Sequence, residues 1–136
     1  MRTPAKAETG AALPELAIDL TPTLVVSAAI ATRDLTPVHH DPRAARAQGA
    51  PDIFLNILTT MGLIERYVTD WAGPEALLRG IAVRLGVPAY AGDRLTFTGT
   101  VEGRDGDLIT VAVRGTVSLG PHATATVRLT LPGGTA

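Results

Sequence analysis

The segment Asp34-Leu35-Thr36-Pro37-Val38-His39-His40-Asp41 sets a carboxylate and an imidazole five residues apart with a proline between them. On an unbroken helix that step turns about 140°, and the two groups would diverge. Pro37 forbids the unbroken helix. It biases Thr36 toward extended backbone and is itself at home in a first helical position. Thr36 is then the N-cap, Pro37 the first and His39 the third residue of a short turn, with the Thr36 hydroxyl accepting from the His39 backbone N–H. The chain bends between the two side chains and can aim them at one point. Asp34 and His39 sharing a water molecule would form a general acid/base pair; the residues alone leave open which is acid and which is base. Taken in isolation, the same stretch also reads as an ordinary turn beside a structural histidine.

Neighbouring polar residues read more plainly. His40 is a neighbour without a role, Asp41 a helix cap, and His122 a solvated residue beside a turn proline. Arg43 and Arg46 form a solvated helix face. A metal site is not expected, because adjacent His39 and His40 point apart in either regular structure and no third ligand is indicated. The chain has no cysteine, which removes disulfides, thiolate metal sites and cysteine nucleophiles. A net charge of −1 and five aromatic residues argue against a nucleic-acid or anionic-membrane surface. No apolar run approaches the ~20 residues of a spanning helix. No hydrophobic export segment follows Arg2 and Lys6, so the cytoplasm is the expected compartment.

The 136 residues suit one domain. Residues 1–14 lack periodicity and are expected as an irregular arm, 15–132 as the domain, and 133–136 as a flexible tail. The Val- and Ile-bearing run Thr23 to Thr32 fits a strand. Asp41-Pro42 opens a short helix that Gly49 closes. The strongest element runs from Ile53 to Trp71, capped by Asp52 and stopped by Gly73-Pro74. Phe54, Ile57, Met61, Ile64, Val68 and Trp71 form one stripe along it. Leu55, Leu58 and Leu63 lie off that stripe, which predicts a buried helix. Strands follow over Ile81 to Val87, Arg94 to Glu102, Leu108 to Leu119 and Ala123 to Leu131. Their turns fall at Asp105-Gly106 and Gly120-Pro121. One long helix followed by consecutive antiparallel strands predicts an α+β domain whose sheet wraps the helix, a hotdog arrangement.

Asp34-Leu35-Thr36-Pro37-Val38-His39-His40-Asp41 resembles the signature Asp-x-Asn-Pro-x-His-x-Asp of MaoC-like, R-specific enoyl-CoA hydratases. The Ala-rich Arg43–Gly49 helix, the helix after Asp52 and the stretch Val83 to Asp93, with its Pro88-x-Tyr90-x-Gly92-Asp93, extend the resemblance from Thr23 to Leu131. Within the family, Ala31-Thr32-Arg33-Asp34, Asp52-Ile53-Phe54-Leu55-Asn56-Ile57-Leu58 and Arg66 to Pro74 resemble the small subunits of steroid side-chain hydratases. Two positions depart from the general pattern. Thr36 replaces the signature asparagine, and both types cap helices. Leu55-Asn56 stand where the family often carries His-Gly.

The resemblance implies a hotdog fold and hydration of an α,β-unsaturated acyl-CoA by Asp34 and His39. It also implies a thioester oxygen met by the Asn56 backbone N–H, with Thr36 supporting the motif as its cap and no cofactor beyond the CoA of the substrate. Arg43 and Arg46 become possible contacts for CoA phosphates. The implied partner is a larger MaoC-like subunit in a heterodimer or heterotetramer, which can carry an OB-fold domain that docks a thiolase-like aldolase. The rival readings are a homodimeric hydratase of shorter enoyl-CoAs, a non-catalytic hotdog scaffold and, more remotely, a thioesterase.

Overall fold

The computed structural model describes residues 7–132. Its elements are strand β1 (Ala12–Asp19), helix α1 (Pro22–Ala31), a single 3-10 turn (Pro37–His39), α2 (Pro42–Ala47), α3 (Ile57–Ala72), β2 (Leu77–Leu85), β3 (Arg94–Asp105), β4 (Leu108–Val117) and β5 (Gly120–Thr130). The strands form one antiparallel sheet in the order β1-β3-β4-β5-β2. Its inner face packs on α3, giving the expected α+β class.

Alternation along the strands sorts the two faces. Leu95, Phe97 and Val101 of β3 face inward, as do Ala123, Ala125, Val127 and Leu129 of β5; Thr98, Thr100, Thr126 and Arg128 face out. Ile64 and Val68 of α3 are fully buried against this layer. Tyr67 stacks on Phe97 at 5.6 Å and donates its hydroxyl to the Pro14 carbonyl at 2.7 Å, tying β1 to the helix. Phe97 has room for its ring because β4 carries Gly115 opposite: a Cβ there would lie 2.9 Å from Phe97 Cε1.

Four expectations need correction. The run Thr23 to Thr32 forms helix α1 and its C-cap Thr32, not a strand. Thr21 accepts from the Leu24 N–H at 3.1 Å and Pro22 sits at the helix start, so a cap-proline signal and three alanines outweigh the β-branched residues. β1 begins at Ala12, inside the segment expected as an irregular arm. Pro14 disguises it, which an edge strand tolerates, and its pairing shifts register between Leu13 and Leu16. Residues 1–6 and 133–136 lie outside the described part.

The third correction is the start of the long helix. Asn56, not Asp52, is the cap of α3, and Ile53 to Leu55 run extended against Ala89 to Ala91. Ile57 and Leu58 in the first turn are therefore 48% and 51% exposed rather than buried. The buried stripe is Thr60, Ile64, Tyr67, Val68 and Trp71. The fourth is the last hairpin, whose loop is Ser118-Leu119, with Gly120 already paired to Val117.

Candidate active site

Asp34 stands just past the C-terminus of α1. The Arg33 N–H donates to the Ile30 carbonyl and the Asp34 N–H to the Ala29 carbonyl at 2.9 Å. This is the paired closure of a helix that ends in a left-handed residue. That residue is Arg33, at φ 57°, where glycine is usual. The conformation costs an L-residue roughly 1–2 kcal/mol and swings the chain out of the helix immediately before the carboxylate.

Asp34 Oδ1 accepts the Thr36 backbone N–H at 3.2 Å. The 3-10 turn is closed by backbone alone, with the His39 N–H on the Thr36 carbonyl. Thr36 thus occupies the N-cap position but makes no side-chain cap, because its own carbonyl takes the His39 N–H. The Thr36 hydroxyl and N–H, then the Asn56 side chain and the His39 ring, hold the Asp34 pKa below its ordinary value of 3.8 against the opposing effect of burial.

His39 is clamped. Its Nδ1 lies 2.8 Å from the Phe54 carbonyl, and its ring meets Phe54 edge-on at 4.9 Å. A carbonyl only accepts, so Nδ1 carries a proton, and in the neutral form of the ring the lone pair of Nε2 faces outward. That Nε2 lies 3.5 Å from Asp34 Oδ2. The pair is too far apart for a strong direct bond. Two acceptors facing each other at that separation suit a third group that donates to both.

Asn56 completes the cluster. It is 2% exposed, and its side-chain oxygen accepts from the Thr59 N–H at 3.3 Å and from the Thr59 hydroxyl. Its side-chain amide donates to Thr32 Oγ1 at 2.8 Å. Among the described residues the Asn56 backbone N–H has no acceptor, and it opens the positive end of α3. Exposed Leu35, Ile57 and Leu58 flank this cluster in the chain.

The other sequence candidates lie apart. His40 is exposed, with Nε2 3.1 Å from the Leu35 carbonyl, and Asp41 caps α2 through the Arg43 N–H. Arg43 and Arg46 are solvated. His122 is not solvated but 3% exposed: its Nδ1 donates to the Val87 carbonyl at 2.7 Å, and its Nε2 accepts from the Thr60 hydroxyl at 2.9 Å. Burial lowers its pKa. Thr32 and the Asn56 side chain escaped the sequence reading, although an asparagine immediately before Ile57 is a cap signal. An open trough of about 630 Å³ lies on the outer sheet face between Arg84 and Thr98, and none of its lining residues belongs to the cluster. No helix among the described residues is long and apolar enough to cross a membrane.

The MaoC like domain family model matches residues 5–120. The chain belongs to the MaoC-like family. This MaoC-like chain is 57% identical to the 3-oxo-4,17-pregnadiene-20-carboxyl-CoA hydratase beta subunit of Mycobacterium tuberculosis (strain ATCC 25618 / H37Rv), over 90% of the chain and 95% of that protein. Its fold superposes on a chain of the ChsH1-ChsH2 complex from Mycobacterium tuberculosis with a TM-score of 0.89, at 57% identity over 90% and 97% of the two chains. The R-hydratase PhaJ1 from Pseudomonas aeruginosa shares the fold at 20% identity and a TM-score of 0.86, over 95% and 84% of the two chains.

Proposed function

We propose that this MaoC-like chain is the catalytic subunit of a hydro-lyase that adds water across the α,β-double bond of a steroid side-chain enoyl-CoA. The observation that carries the reaction is the facing pair of acceptors, Asp34 Oδ2 and His39 Nε2, 3.5 Å apart. The steroid substrate is supported by the 57% identity to a pregnadiene-carboxyl-CoA hydratase subunit.

A water donating one O–H to each acceptor keeps an oxygen lone pair free for the β-carbon. His39 Nε2 takes one proton as the C–O bond forms, and Asp34 holds the other O–H and balances the new imidazolium. The π-electrons move through the α-carbon onto the thioester oxygen. There the Asn56 N–H and the start of α3 meet the charge, one such donor being worth about 2.7–4 kcal/mol. The Asp34–His39 pair then returns the proton to the α-carbon and the carbonyl re-forms. Water and the thioester supply every atom, so the reaction calls for no cofactor.

The site is a half-site. Leu35 is 69% exposed beside Asp34, and Ile57 and Leu58 sit at the open helix start. Apolar side chains beside a catalytic pair suit a steroid wall, and covering them takes a second subunit. We assign that role to a larger MaoC-like subunit in a heterodimer or heterotetramer in the cytoplasm, with an OB-fold domain that docks a thiolase-like aldolase. The test is to produce this chain alone and with that subunit and follow loss of the enoyl absorbance with steroid and crotonyl thioesters. Hydration of the steroid thioester is expected only from the pair. A fully active homodimer on crotonyl-CoA would replace this reading with the short-chain one, and release of free CoA with a thioesterase.

A further inference from the structure

The Asn56 side chain is more than a helix cap. Its donors and acceptors can be followed through three elements. The Thr32 hydroxyl, at the end of α1, donates to the Ala28 carbonyl at 2.9 Å, which leaves its oxygen free to accept. Asn56 Nδ2 donates to that oxygen at 2.8 Å. Asn56 Oδ1 accepts from the backbone N–H and the hydroxyl of Thr59 in the first turn of α3. The carboxamide therefore has one orientation. Flipping it would set an NH2 against the Thr59 N–H and an oxygen against a hydroxyl whose proton is already committed.

One carboxamide N–H remains after these bonds. Asn56 is 2% exposed, and a buried donor takes a partner where one is in reach. Asp34, two residues beyond Thr32, offers a carboxylate. We propose that Asn56 is a positioning residue of the hydration site, its carboxamide locked by Thr32 and Thr59 so that its last N–H holds the Asp34 carboxylate opposite His39. The lowered pKa of Asp34, to which the Asn56 side chain contributes, agrees with this contact. The inference rests on the hydratase reading for its catalytic consequence, but the hold on Asp34 does not depend on it.

Two devices follow from one residue type. An asparagine caps α3 through its oxygen and steers the acid through its nitrogen, whereas serine caps equally well but lacks the amide N–H. A role limited to capping predicts that Asn56→Ser leaves Asp34 alone.

The experiment compares Asn56→Ser, Thr32→Val and Thr32→Ser with the unaltered chain, each assembled with its larger subunit. Carboxyl carbon NMR follows the titration of Asp34, thermal unfolding follows the cap, and steady-state kinetics separates kcat from KM. Asn56→Ser and Thr32→Val are expected to raise the Asp34 titration midpoint and lower kcat roughly ten- to a hundredfold, the range of one hydrogen bond to a charged group. KM and the unfolding temperature should stay close to the unaltered values, and Thr32→Ser, which keeps the hydroxyl, should restore both readouts. An unmoved midpoint with kcat within twofold in both variants overturns the proposal. If Asp34→Asn keeps full hydration, the hydratase assignment falls instead, and the Asp34 titration still reports on the Asn56 contact.

Discussion

In the proposed hydration, Asp34 and His39 divide the work according to what surrounds them. The imidazole has its tautomer set by the Phe54 carbonyl, so Nε2 is the basic nitrogen that faces the carboxylate. The carboxylate is kept ionised by the Thr36 hydroxyl and N–H. Asp34→Asn and His39→Ala are each expected to lower steroid-CoA hydration by about 10²–10⁴-fold, the range of a lost proton-transfer group; heteromer assembly, read by size-exclusion chromatography, should be unchanged. Thr36→Val removes the largest support of the Asp34 charge and should raise that carboxyl pKa. Because the ionised form is the active one in the proposed reaction, the acid limb of the kcat/KM profile then moves to higher pH. Thr36→Ser should leave that limb in place.

The sign of a second pH effect is set by His122, which burial keeps below its ordinary value of 6.5. The unfolded chain then binds the proton more readily than the folded one, so this contribution to stability is complete above pH 6.5 and fades as pH falls toward the lower folded value. In His122→Gln the fall of unfolding temperature below pH 6.5 should be shallower than in the parent chain.

At the scale of elements, packing decides which substitutions matter. Phe97 fills space that Gly115 leaves open, so Gly115→Ala should cost about 1–3 kcal/mol in denaturant unfolding through overpacking. Ile64, fully buried on α3, should cost about 2–5 kcal/mol as Ile64→Ala. The same physics explains where pattern reading succeeded. β3, β4 and β5 alternate because one face is buried and one is wet, and that alternation is written residue by residue. The apolar run of α1 reads as a strand because Val25, Val26 and Ile30 suit a sheet, and the deciding information sits in two residues outside that run, Thr21 and Pro22. The pattern puts the start of α3 four residues too early because Ile53 to Leu55 are as apolar as a buried helix. They are buried instead by pairing with Ala89 to Ala91, a partner about 35 residues away that no local period reveals.

For the whole molecule, the consequence is that the proposed catalytic pair has exposed apolar residues close by in the chain. Leu35, Ile57 and Leu58 remain exposed, while the trough of about 630 Å³ lies on the outer sheet face. Replacing Leu58 by Asp should weaken association with the larger subunit and steroid turnover together, measured by co-purification and hydration rate, while the isolated chain keeps its unfolding temperature. The acid, the imidazole, the proline between them and the alternation of the last three strands were all legible from the chain, since residue type and spacing state them directly. Tertiary structure alone decided that the Phe54 carbonyl sets the His39 tautomer, that the Thr36 carbonyl and not its hydroxyl takes the His39 N–H, and that Asn56 joins Thr32 to Thr59. Those contacts join residues up to 24 positions apart or depend on which acceptor wins a given donor, and only a folded backbone sets that competition.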